Sequence, residues 1–179
     1  IPDLLLDSKL WLDAENIDGD GNNSLSDGDS ISEWKDLSGN GIHLTQSSST
    51  NQPVFNGSVV NFTKTNSHHL SNTAINEGIL TEDATIFSVI LPKSDSVIII
   101  DQGFVHGGNE HGWVFSRGRD GDYNTGVNNL VWNSNNTSGN QNHSMYSYSY
   151  SDASPLNEVQ IATVIKDSKD LEYQINGLG

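Results

Sequence analysis

Residues 84–91 read ATIFSVIL, apolar at nearly every position, and proline follows at 92. A run of this length, rich in β-branched and aromatic residues, reads as a central strand of a sheet. Proline lacks an amide hydrogen and cannot extend the ladder, so the strand should stop there. Downstream, the β-branched stretch from Ser96 to Ile100 is expected to pair with it. Gly112–Ser116 and Gly126–Trp132 read as strands flanking a polar loop, RGRDGDYNT. From Ser144 to Ser151 the alternation is strict, with Tyr146, Tyr148 and Tyr150 on one face and serines on the other. Residues 158–166 alternate around Val159, Ile161, Thr163 and Ile165, and Leu171, Tyr173 and Ile175 alternate with polar neighbours.

Upstream the segments are shorter. Val54-Phe55 and Val59-Val60-Asn61-Phe62 bracket Asn56-Gly57, a strong hairpin signal. Leu10, Trp11 and Leu12 are expected to enter the core, and Ile31 to Leu37 returns to apolar positions around Trp34 before the turn Ser38-Gly39-Asn40-Gly41. Amphipathic helical spacing is absent. Many short strands with polar, glycine-rich connections predict an all-β protein, an antiparallel β-sandwich. Near the end, Asn176-Gly177 is a further hairpin signal with only Leu178 and Gly179 after it, so the returning strand is expected to be truncated or supplied from elsewhere.

The 179 residues suffice for one substantial core, read as a single domain over 1–179. Against 23 Asp and Glu stand 8 Lys and Arg, a formal charge of -15. Such a chain repels nucleic acid and anionic lipid, and its carboxylates invite divalent cations. Acidity also serves the solubility of a secreted protein. The chain has no cysteine, which removes disulfides, thiolate metal sites and cysteine nucleophiles. Its apolar runs fall short of the roughly 20 residues that span a bilayer, so no membrane insertion is expected.

Two acidic loops have the spacing of calcium sites. Asp18, Asp20, Asn22, Ser24, Ser26 and Asp29 occupy positions 1, 3, 5, 7, 9 and 12 of a twelve-residue loop. Alternating oxygens in a tight loop can converge on one ion. Asn23 replaces the glycine expected at position 6, and Asp29 is shorter than the usual glutamate. The competing reading is a solvated Asp-Gly loop. Asp120, Asp122 and Asn124 repeat the 1-3-5 start and would need a distant ligand such as Asp101.

Carbohydrate recognition combines aromatic platforms with polar groups that fix hydroxyls. Trp113, Tyr123 and Trp132, with His106, Asn109, His111, Arg117 and Arg119, are the candidates; the arginines suit an acidic sugar or a carboxylate. The alternative puts the tryptophans in the core and pairs the arginines with nearby aspartates. The tyrosine stripe either lines a binding face or packs one side of a sheet. The histidines lack the helical spacing of a zinc protease, and no phosphate loop or nucleophile elbow occurs. Glycoside hydrolysis would need two carboxylates across a cleft, separated by about 5 Å or about 6.5–9.5 Å.

Four motifs in the amino-terminal part, LWLDAENIDGDG from residue 10, SEWKDLSGNGIHLTQ from 32, QPVF from 52 and VNF from 60, carry a resemblance. Together they are similar to the amino-terminal half of a laminin-G-like, concanavalin A-like domain of bacterial extracellular proteins. The resemblance implies a jelly-roll sandwich, often with calcium, in one module of a secreted or cell-surface protein that binds glycans or other proteins. It also implies that Trp34 and the Asp36–Gly41 turn build the fold rather than touch ligand. The Glu-x-Asp-x-x-Glu strand of the related glucanases is missing, and family members are usually longer. A glycan-binding or adhesive module with calcium-stabilised loops leads; a protein-binding or structural module follows, and a polysaccharide-degrading enzyme comes last.

Overall fold

In the computed structural model, residues 8–72, 84–93, 97–102, 111–117, 128–134, 146–149, 157–167 and 170–175 are described. The chain forms two compact units, Ile1–Ile79 and Leu80–Gly179. Their described regular structure is all-β, in small antiparallel sheets with two short 3-10 turns, Ser49–Asn51 and Lys64–Asn66.

In the first unit, β1 (Glu33–Trp34) pairs with β2 (Leu44–Thr45), and β3 (Val54–Asn56) pairs with β4 (Val59–Asn61). The hairpin appears where the sequence signals it, one residue later than an Asn-Gly turn would sit. Asn56 faces Val59 as the last strand pair. Gly57 takes φ +67, and the Ser58 amide reaches back to the Asn56 carbonyl at 2.7 Å. That left-handed backbone is what glycine supplies without strain. Ile17, Ile31 and Phe55 form the core, and Leu25, Trp34, Val60 and Leu70 pack against it. Leu10, Trp11 and Leu12, expected inside, are half-buried.

What ties the amino-terminal segment to this core is Asp36, only 6% exposed. Its Oδ1 accepts the Trp11 amide at 3.0 Å and the Ser38 amide at 2.9 Å. Its Oδ2 accepts the Ser38 hydroxyl at 2.8 Å and the Ile42 amide at 3.0 Å. The turn-building role expected of Asp36 is therefore visible directly. The same stretch is stitched further by Leu37 N–H to the Trp11 carbonyl (2.8 Å), Lys35 N–H to the Ile17 carbonyl (2.9 Å) and Trp34 Nε1–H to the Asp13 carbonyl (3.1 Å). His43 Nδ1 accepts the Asp36 amide at 3.0 Å, which puts the ring proton on Nε2.

The second unit contains two sheets. One runs β11 (Asp170–Ile175), β10 (Gln160–Asp167), β5 (Ala84–Ile90); the other runs β6 (Val97–Gln102), β7 (His111–Arg117), β8 (Asn128–Ser134), β9 (Tyr146–Ser149). Two expectations for 84–91 are corrected here: β5 pairs with β10 over seven positions while β6 pairs with β7, and among the described strands β5 lies at the edge of its sheet rather than at the centre. The Asn157 amide bonds the Pro92 carbonyl at 2.8 Å, which fastens the end of β5 beside the start of β10.

Alternation in β10 alone singles out Val159, Ile161, Thr163 and Ile165 as the apolar set. Across three strands the balance reverses. Register joins Gln160, Ala162 and Val164 with Ile90, Ser88 and Ile86, and Ala162 and Val164 with Ile175 and Tyr173. Gln160 and Ala162 are each 1% exposed; on the other face Phe87, Val89 and Ile161 are 65%, 73% and 48% exposed, and Thr163, opposite Phe87, is buried.

Burial opposes ionisation of Asp36, but the Trp11 amide, the Ser38 hydroxyl and amide, and the Ile42 amide together outweigh it and hold the carboxyl below its ordinary value of 3.8. A depressed folded-state pKa gives stability that is present above 3.8 and lost as pH falls through the lower folded value. Asp36→Asn is expected to lower stability at neutral pH by about 2–3 kcal/mol, the scale of hydrogen bonds to a charged acceptor. Urea unfolding across pH should show the curves of the wild type and the Asp36→Asn variant converging in acid.

Candidate functional site

The acidic loop is built around Asp18. Its Oδ1 accepts the Asp20 amide at 3.0 Å and the Asn22 amide at 2.8 Å, and its Oδ2 accepts the Ser24 hydroxyl at 2.9 Å. The Asp20 amide first, then the Asn22 amide and Ser24, hold this carboxyl well below the usual carboxylate range. Asp20 accepts the Asn23 amide at 3.3 Å through Oδ1, and its carbonyl accepts the Asn23 side-chain amide.

Asn22 adopts φ +60, a conformation asparagine tolerates better than most residues. Its Oδ1 accepts the Ile17 amide at 2.6 Å, and its Nδ2 donates to the Ala14 carbonyl at 2.8 Å. At the far end, Asp29 Oδ2 accepts the Ser26 amide at 2.8 Å, and the Asp29 carbonyl accepts the Phe55 amide at 2.9 Å. Of the six spaced residues, Asp18, Asn22 and Ser24 are thus brought together, while Ser26 and Asp29 close a separate turn against β3. Among the described residues, no three His, Asp or Glu side chains form a group that could hold a metal ion.

An open depression of about 450 Å³ adjoins the loop, lined by Glu15, Gly21, Asn22, Leu25, Asp27, Phe55 and Gly57. Two carboxylates, Glu15 and Asp27, are among its lining, with Phe55 and Leu25 supplying apolar surface. Glu15, Asp27 and Phe55 are not in the calcium spacing and become neighbours only because segment 28–31 runs along β3, with Gly28 N–H on the Phe55 carbonyl and Ile31 N–H on the Pro53 carbonyl. The missed signal was Asn16, whose Oδ1 accepts the Gly21 amide at 2.7 Å. An asparagine ahead of a glycine-rich loop is a ready side-chain cap for that loop's amides.

The second unit carries the expected ligand-binding candidates in part. His111, Trp113 and Arg117 lie on β7 at alternate positions, so they share one face of its sheet. Register partners share a face as well, which sets Gln102, Trp113, Trp132 and Tyr146 in one row and Ile100, Phe115, Leu130 and Tyr148 in the next. Arg117 is partnered with Asn128, and His111 with Ser134, at opposite ends of β7. Asp101, proposed as a calcium ligand, pairs with Val114 on the other face. Among its 24 strand residues this sheet has a single acidic residue, Asp101, despite the chain's charge of -15. His106, Asn109, Arg119, Asp120, Asp122, Tyr123, Asn124, Tyr150 and the turn at Asn176-Gly177 lie outside the described residues.

Among the described residues no helix is long and apolar enough to cross a membrane. No family model, no curated protein and no solved structure matches the chain.

Gly57 tests the geometry of the depression. A Cβ there would sit 3.1 Å from Asp27 Oδ1, on a backbone at φ +67. Gly57→Ala is expected to destabilise the first unit by about 1 kcal/mol or more, through the left-handed backbone and the displaced carboxylate. Thermal unfolding of the variant measures it.

Proposed function

We propose that this chain is a non-catalytic carbohydrate-binding or adhesion module of a secreted or surface protein, with a concanavalin A-like jelly-roll sandwich as its architecture. The observation that carries the binding reading is the aromatic row across β7, β8 and β9, Trp113–Trp132–Tyr146, with polar and basic residues at the ends of the same face. Stacked sugar rings need flat apolar surface, and their hydroxyls need donors and acceptors beside it. Adjacent strands are about 4.8 Å apart, so three such residues extend over roughly 10 Å. Arg117 supplies positive charge, and His111 a polar ring, in a sheet whose described strands carry one acidic residue, which favours a glycan bearing carboxylates.

Support for the sandwich comes from the two antiparallel sheets and from the exposed Phe87, Val89 and Ile161, an apolar face of the sort a second sheet covers. The second reading is a protein-binding or structural module, and the same exposed apolar face favours it.

A glycan array probed with the whole chain separates the two. Capture of uronic-acid-containing glycans is expected, falling at least about tenfold in Arg117→Gln, the loss that a charge-assisted hydrogen bond of about 1.5–3 kcal/mol implies. The fluorescence of Trp113 and Trp132 should become less accessible to acrylamide when ligand is added. An empty array, with the tryptophans already shielded in the free protein, would put the aromatic row in the core and leave the structural reading in front.

A further inference from the structure

The residues whose spacing suggests a calcium loop are occupied in another way. We infer that the acidic loop closes on its own hydrogen bonds and needs no cation, with Asn22 acting as a latch to the preceding chain rather than as a ligand.

The observations come from the donors. Backbone amides of Ile17, Asp20, Gly21, Asn22, Asn23 and Ser26 each find a side-chain acceptor within the segment: Asn22, Asp18, Asn16, Asp18, Asp20 and Asp29 in turn. In a tight loop, amides of this kind otherwise have no partner but water. Both ends of the Asn22 side chain are committed. Turning Oδ1 toward an ion would release the amide of Ile17, a core residue 1% exposed, and would abandon the Ala14 carbonyl. Asp29 is committed as well, since its carboxylate caps Ser26 while its carbonyl holds β3. The two positions that should close a calcium shell from the middle and the end of the loop therefore serve the fold.

Calcium takes six to eight oxygens, and with Asn22 and Asp29 set aside the spacing leaves the side chains of Asp18, Asp20, Ser24 and Ser26, of which Asp18 and Ser24 already bond each other. Lys35 lies over the same stretch, with its Cδ 3.1 Å and its Nζ 3.8 Å from the place a Cβ on Gly19 would occupy. The inference stands apart from the glycan reading and fails or survives independently of it.

Two variants of the whole chain test it, each read by its thermal unfolding midpoint after chelation and again in excess calcium chloride. Asn22→Asp adds a carboxylate at the fifth position of the spacing and removes the donor to Ala14. For a self-closed loop, this variant should unfold at a lower temperature in both conditions by the same amount. For a calcium loop, the added charge should widen the gap between chelated and calcium-loaded protein, since a ligand that binds only the folded state raises its midpoint. Asp20→Ala, which removes the ligating oxygens at the third position, is the control that keeps the question open to refutation even where the first variant folds poorly. A calcium response of the wild type that persists in full in Asp20→Ala arises elsewhere on the chain and supports the inference, as does the lack of any response. A response lost in Asp20→Ala overturns it.

Discussion

The first unit depends on one carboxylate. Asp36 is buried, and four donors from three places in the sequence converge on it: the Trp11 amide, the Ser38 amide and hydroxyl, and the Ile42 amide. A buried charge is tolerated only when it is solvated by the protein as thoroughly as water would solvate it. The requirement runs both ways. The donors fix Asp36, and Asp36 fixes the approach of the 8–14 segment, the path of the Ser38–Gly41 turn and the start of β2. With no disulfide available, this hub takes the place of a covalent staple between segments about 25 residues apart.

From the hub the order of construction follows. Trp11 and Leu37 are joined, so Ala14 to Ile17 arrives beside Lys35 and places Ile17 against Ile31 and Phe55. Asn22 bonds back to Ile17 and Ala14 from this position. The acidic loop is therefore an outgrowth of the core, shaped by amides that need acceptors. Its aspartates and asparagines serve first as hydrogen-bond acceptors for the chain, and their charge is a second property.

Much of the architecture is legible in the residues. The strand at 84–91 ends before Pro92, the hairpin forms around residues 54–61, and the alternations at 146–149, 160–167 and 170–175 all become strands. These signals are local, since periodicity and turn chemistry act over a few residues. Partner choice is not local. The pairing of β5 with β10 joins segments separated by the whole of β6 to β9, and nothing in ATIFSVIL distinguishes it from pairing with the next apolar run. The buried face of β10 was hidden for the same reason, because it depends on Ile86 and Ile90 as much as on β10 itself. At the candidate site, the spacing from Asp18 to Asp29 was plain in the sequence. What each side chain does with its oxygens was not, because Asn22 is claimed by amides upstream that no loop pattern includes. The row Trp113–Trp132–Tyr146 was likewise invisible until the register set three separate segments side by side.

The most direct test of this account is amide hydrogen exchange at neutral pH, resolved residue by residue. If Asp36 organises the unit, the amides of Trp11, Ser38 and Ile42 should be protected as a group, far beyond the exposed amides at Gly39 and Gly41, and should lose that protection together as the carboxyl is titrated in acid. Exchange of Trp11 and Ile42 at the rates of those exposed turn residues would contradict it, for the hub would then be no more than a chance meeting of a carboxylate with nearby donors.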